Sequence, residues 1–177
     1  GLINAIITNT DITAFFKQIT DDKFAVTGGE LAKLSNQFYL VGGQRFDGQY
    51  NPMGHGTYVQ TYTEAIQKFT LNNSGATLSY SGYEKITDPI HLHRRDYNLL
   101  SHIFPDGSEG LVISSGVFQQ FVDLPFLYPV EIKEDGYVAK PEFNQYLNNY
   151  HTAHTNIYDS LENKMTSLFF GGISQYY

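Results

Sequence analysis

Between residues 24 and 46 the chain reads FAVTGGELAKLSNQFYLVGGQRF, two β-rich runs that each close on a glycine pair and flank the polar stretch LAKLSNQ. That pattern predicts a hairpin. In the second run Tyr39 and Val41 fall on one face and Phe38 and Leu40 on the other, so both faces are apolar and the strand is expected to lie inside a sheet. Gly42 and Gly43 allow a bulge, a positive backbone angle or the close approach of another strand. Residues 47–56, DGQYNPMGHG, are dense in turn formers and read as a long loop. AIQKFTL at 65–71 alternates as a half-buried strand does, and LSYSGYEKI at 78–86 is its expected partner across the turn NNSG. Four consecutive strands then make a meander.

The same pattern recurs further on. YNLLSHIF at 97–104, the turn PDGSEG and LVISSGVF at 111–118 repeat the hairpin, with Ser115 and Gly116 where Gly42 and Gly43 stood. YPVEIK at 128–133 and GYVAKPEF at 136–143 supply two outer strands, and Pro141 points to an exposed edge. A third copy starts at YHTAHTNIYD, 150–159, and runs through a turn into MTSLFFGGI, 165–173. YLVGG, VISSG and LFFGG begin at 39, 112 and 168, a spacing longer than the ~40–50 residues of a common propeller blade, so long connecting loops are expected. In residues 1–20 the apolar runs LINAIIT and TAFFKQI read as outer strands of a preceding unit, with a short helix capped by Asp11 as the alternative for 11–19.

A hairpin whose second strand ends in a diglycine, followed by two further strands, resembles the kelch repeat of β-propellers, carried here by FYLVGG, LFFGG and VISSG. The longer strings FAVTGGEL, FYLVGGQRFDGQYNP, HRRDYNLLSHIFPDGSEGL and LFFGGISQYY are similar to kelch-containing proteins of the galactose-oxidase-like central domain class in Bacteroidetes-type bacteria, many of them exported. The resemblance spans about residues 20–177. It implies an all-β fold, a kelch-type β-propeller segment of four-stranded antiparallel meander blades. The outer strands would occupy 1–20, one blade 21–87, a second 88–147 and the start of a further blade 148–177. It also implies a secreted or cell-surface location. Two departures stand out: the chain has no Trp for the usual outer-strand packing position, and it holds two complete units where a closed ring needs roughly 4–8. A segment of a larger propeller is therefore expected, or one that self-associates through exposed blade faces.

Composition narrows the function. The 177 residues suit one domain, and 18 Asp and Glu against 11 Lys and Arg give a net charge of -7, which argues against a nucleic-acid surface. Without cysteine there is no thiolate catalysis, cysteine-ligated metal or disulfide, and the tyrosine–cysteine cofactor of galactose oxidase cannot form within this segment. No apolar run of about 18 residues and no basic-then-apolar leader is seen, so membrane insertion is not expected. The G-x-S-x-G, G-x-x-x-x-G-K-[ST] and HExxH motifs are missing, and no cofactor is expected.

Candidate site residues come from the segments that lead into the three hairpins. His91 and His93, two apart, would share a face if they lay on a strand, and with Asp88, Asp96 or His102 could hold a metal; two ligands do not define such a site, and none is assigned. His93, Arg94, Arg95, Asp96, Tyr150, His151 and His154 are expected to gather on one rim of the array. The alternative for Arg95 and Asp96 is a structural bridge between units. In the loop 44–56, Arg45, Asp47, Tyr50, Asn51 and His55 set aromatic rings beside hydrogen-bonding groups, a mixture suited to carbohydrate or peptide. The expected function is a noncatalytic module for an unknown protein or carbohydrate ligand. The competing expectation is part of a carbohydrate-active propeller enzyme completed by further blades.

Overall fold

The computed structural model of the chain describes residues 1–51, 53 and 56–174. A first sheet is built from β1 (Glu30–Leu34), β2 (Gln37–Val41), β5 (Ala65–Asn72) and β6 (Ser79–Thr87), all antiparallel in that spatial order. Between β2 and β5 a separate hairpin is inserted, β3 (Gln44–Gly48) with β4 (Tyr58–Tyr62). The second sheet is a simple antiparallel meander of β7 (Arg95–Ile103), β8 (Glu109–Val117), β9 (Val130–Lys133) and β10 (Gly136–Ala139). β10 is an edge strand and Pro141 follows it. β11 (Leu147–Asn148) pairs with β14 (Ile173–Ser174), and β12 (Ala153–Asp159) with β13 (Lys164–Phe170). The fold is all-β, with antiparallel sheets of two to four strands.

The core forms where the first strands of the units meet. β1 packs beside β7, and β7 beside β12. Tyr39, Val41 and Ile66 of the first sheet join Tyr97, Leu99, Ile113 and Ile132 of the second in one buried cluster, and such burial of apolar surface is the main favourable term in folding. Polar ties run along the same seams: Glu30 with Tyr97 and Leu99, Asn98 with Tyr150 and Thr152, Asn156 with the carbonyl of Ser101. Between β7 and β12 these contacts climb in step, from Asn98 with Tyr150 and Thr152 to Ser101 with Asn156. On β1, Glu30 meets Tyr97 and Leu99 while Lys33 and Leu34 line one cavity with Ser101, His102 and Ile103, so β1, β7 and β12 run in the same direction. The loops leading into them therefore lie at one end, together with the inserted β3–β4 hairpin.

The glycine pairs are steric necessities there. Gly43 sits at φ +76, and a Cβ on it would lie 2.5 Å from the backbone nitrogen of Gly29. The two diglycines, 28–29 and 42–43, pass each other at this crossing, and Thr27 bridges Gln44 just beyond it.

Four expectations are corrected. Residues 1–20 contain no strand: α1 (Leu2–Ile7) is a single short helix, and Asp11 accepts the N–H and hydroxyl of Thr13 in a turn. With no neighbouring strand to pair with, the backbone of LINAII satisfies itself locally, as in the bond from Ala5 N to Gly1 O. The first strand begins after the Gly28–Gly29 pair, not before it, and the turn is Ser35–Asn36. β3 takes residues 44–48 out of the expected loop and pairs with β4, a strand the pattern did not show. His91 and His93 lie in a turn before β7, not on a strand.

Candidate binding site at the leading end of the strands

The segment from Asp88 to Asp96 organises this end. Asp88 accepts the N–H groups of Ile90 at 2.8 Å and His91 at 3.0 Å, and the hydroxyl of Tyr137 at 2.6 Å. Partial burial works against its charge, but these donors outweigh it and its pKa falls below the ordinary carboxylate value. The turn so fixed sends the two imidazoles apart. His91 Nδ1 meets the Tyr128 hydroxyl at 2.9 Å, whereas His93 Nδ1 meets Glu64 at 2.8 Å and its ring stacks on Tyr62 at 3.8 Å. The shared-metal geometry weighed for them depended on a strand that is not there. Among the described residues, no cluster of three or more His, Asp or Glu is arranged to hold a metal ion.

Arg94 was expected to face a ligand, and the structure instead seals it inside. It is 1 % exposed, and its guanidinium donates to three carbonyls: His91 at 2.9 Å, Ser115 at 2.7 Å and Tyr128 at 2.9 Å. It lies over the rings of Phe126 at 4.1 Å and Tyr128 at 5.0 Å. Burial lowers its pKa to about 10, which leaves it cationic at neutral pH. Its role is to clamp the 88–94 turn to β8 and to the segment before β9.

Arg95 and Asp96 take the bridging position. The Arg95 guanidinium lies 4.3 Å over Phe118, its Nε is 3.6 Å from Asp96, and its NH1 reaches the side-chain oxygen of Gln60 on β4 at 3.4 Å. Arg95 joins the inserted hairpin to the second sheet, and Asp96 pairs with it. Tyr62 is half-buried beside them, and that burial raises its pKa, with Arg95 opposing.

The hairpin has two unlike faces. Cross-strand register places Gln44, Phe46, Gly48, Tyr58, Gln60 and Tyr62 on one side, and Arg45, Asp47, Val59 and Thr61 on the other. Arg45 binds Asp47 at 2.9 Å and approaches Asp22 at 3.9 Å. Tyr50 is exposed next to Tyr58, with ring centres 5.6 Å apart, and Phe46 stacks on Tyr58 at 4.9 Å. Asn51 accepts the N–H of Met53. His55 lies outside the described residues.

At the third unit, Tyr150 holds a positive φ of 52° and its carbonyl accepts from Asn98, whose own side-chain oxygen accepts the Thr152 N–H at 3.0 Å. His151 is exposed, and His154 Nδ1 lies 3.3 Å from the Thr152 carbonyl. Glu30, which the sequence did not single out, belongs with them. Burial raises its pKa, while the Leu99 N–H at 3.1 Å and the neighbouring His151 and His154 pull it back. The one sequence signal was an acid placed directly after Gly28–Gly29.

Two groups therefore share the leading end: Gln60, Tyr62, Glu64, His93, Arg95 and Asp96 at the hairpin base, and Glu30, Tyr150, His151 and His154 at the first strands. Paired charges and stacked rings of this kind can hold a ligand by hydrogen bonding and ring contact. No family model matches the sequence, and no curated protein matches it.

Proposed function

We propose that this chain is a segment of a kelch-type β-propeller and serves as a noncatalytic binding module of an exported or cell-surface protein, taking a carbohydrate or protein ligand at the leading end of its strands. The observation that carries the reading is the repetition itself. Two four-stranded antiparallel meanders and a third hairpin follow one another with β1, β7 and β12 side by side and in the same direction. Loops at one end of such an array make a rim, the usual place for a ligand. The groups on that rim are ion pairs, His93 with Glu64 and Arg95 with Asp96, together with aromatic rings. This composition favours binding over turnover.

One observation favours a second reading, a carbohydrate-active enzyme completed by further blades. Glu30 is a partly desolvated carboxyl beside two histidines, a setting suited to proton transfer. The experiment is a ligand screen with polysaccharides and purified surface proteins, followed by hydrogen exchange and by analysis of the recovered ligand. Binding with protection at 58–64, 91–96 and 150–154 and an intact ligand is the expected result. A cleaved ligand whose cleavage is lost in Glu30→Gln would replace the module by the enzyme.

A further inference from the structure

The inserted hairpin carries on one face a run of flat side chains. At its outer half Phe46 and Tyr58 stack at 4.9 Å with planes 20° apart, and Tyr50 adjoins both, at 6.4 Å from Phe46 and 5.6 Å from Tyr58. Gly48 faces Tyr58 across the pair; it sits at φ +112, where a Cβ would come 2.3 Å from the Thr57 carbonyl. Toward the base the same face continues with the Gln60 amide, the Arg95 guanidinium and its Asp96 partner, then Tyr62 on His93. Phe46, Tyr58, Gln60 and Tyr62 are half-buried and Tyr50 is 69 % exposed, so among the described residues Tyr50 is the open end of the run and the others offer a ligand part of their surface.

Resting on the binding-module reading, we propose that this strip binds a neutral oligosaccharide, with pyranose rings on Tyr50 and Tyr58 and sugar hydroxyls at Gln60 and Arg95. An aromatic face is electron-rich, and the weakly positive C–H face of a pyranose lies flat against it. Hydroxyls at the sugar's edge then meet planar donors and acceptors, which the Gln60 amide and the Arg95 guanidinium supply. Charge sets the class of sugar. Arg95 is balanced by Asp96, and the whole chain carries -7, so among the described residues an acidic glycan finds no unpaired cation on the strip and a repulsive field around it. Among the described residues, the paired positions of this face carry no large aliphatic side chain of the kind that seats a peptide, Val59 lying on the other.

The test uses affinity electrophoresis of the whole chain through gels containing a neutral glucan, a neutral mannan, a neutral xylan or polygalacturonate, with titration of tyrosine fluorescence by the matching oligosaccharide. Tyrosine is a usable reporter because the chain has no Trp. Retardation by at least one neutral polymer is expected, with affinity lost about tenfold or more in Tyr58→Ala and Gln60→Ala, a change of about 1.4 kcal/mol. Thr61→Ala, on the opposite face, is expected to stay within about twofold. Tyr50→Ala gives the same answer if Tyr58→Ala fails to fold. Retardation by polygalacturonate alone, or by no glycan, overturns the strip. So does neutral-glycan binding that survives Tyr58→Ala, Tyr50→Ala and Gln60→Ala, but in that case the module reading stands and the ligand sits elsewhere on the rim.

Discussion

The Tyr97 hydroxyl, on β7, accepts the backbone N–H of Glu30 at 2.9 Å where β1 begins. The same hydroxyl donates to the carbonyl of Val41, at the end of β2. Its ring is 2 % exposed, and burial holds its pKa far above the ordinary tyrosine value, so it acts as a neutral cross-link. Leu99 N–H, two residues on, binds the Glu30 carboxylate at 3.1 Å. One side chain thus closes the seam between the two four-stranded sheets and sets the position of Glu30.

Tyr97→Phe keeps the ring and removes the cross-link. It takes this partner from a half-buried N–H and a buried carbonyl, each a desolvation penalty. The expected loss is about 1–3 kcal/mol in urea unfolding, with an unchanged slope against urea. A loss below about 0.5 kcal/mol would show that water replaces the hydroxyl and that the seam is held by packing alone.

Gly43→Ala separates backbone strain from collision. Gly43 and Gly75 both sit at positive φ, +76° and +83°, but an added Cβ meets Gly29 at 2.5 Å in the first case and open space in the second. Gly75→Ala is expected to cost about 1 kcal/mol, the strain term alone. Gly43→Ala should cost well over about 2 kcal/mol, because a backbone crossing must open. Equal thermal midpoints for the two variants would contradict the crossing.

How far the sequence disclosed this arrangement depends on what each segment packs against. β5, β7, β8 and β13 were legible because their neighbours in the fold impose alternation or a continuous apolar run on them. β1 was misplaced because ELAKL exposes Leu31 and turns Lys33 outward, so its period is masked by charge. β3 was read as part of a loop, and YVQTY was given no element, because glycine, asparagine and proline crowd the sequence between them and the strand YVQTY is only half-buried. HLH has strand spacing, but the Asp88 carboxylate captures two N–H groups and winds a turn, a competition between side chain and sheet that the spacing cannot show. Arg94 looked like a ligand-binding residue because the rings that enclose it, Phe126 and Tyr128, lie more than thirty positions away.

Arg94→Lys tests the clamp. Lysine keeps the charge but cannot place donors on three carbonyls from one planar group, nor lie flat on Phe126. The expected loss is about 2–3 kcal/mol in thermal or urea unfolding, set by hydrogen bonds to a charged group. Gly116, whose added Cβ would lie 3.2 Å from the Arg94 side chain, should become more mobile in hydrogen exchange along with the 88–94 turn. Exchange that loosens elsewhere and leaves this turn protected would contradict the clamp.

His102 gives the pH dependence its direction. It lines a cavity of about 470 Å³ between the second sheet and the β12–β13 hairpin, with Leu100, Val112, Phe143 and Phe169 around it. Burial lowers its pKa and the nearby Glu131 works against that; its Nδ1 has no hydrogen-bond partner among the described residues. The folded state therefore prefers the neutral ring, whereas the unfolded chain takes up a proton near about pH 6.5. Stability is full above that value and is lost as pH falls through it toward the lower folded value. Glu30 acts in the opposite sense, since its raised pKa means that the cost of its charge disappears as pH falls through the folded value. The two groups can be told apart by unfolding the protein in urea at about pH 7.5, 6.5 and 5.5. His102→Gln should abolish the loss between the first and last of these, whereas Glu30→Gln should not reduce it. A His102→Gln chain that loses as much stability as the parent over this range would show that His102 does not carry the effect.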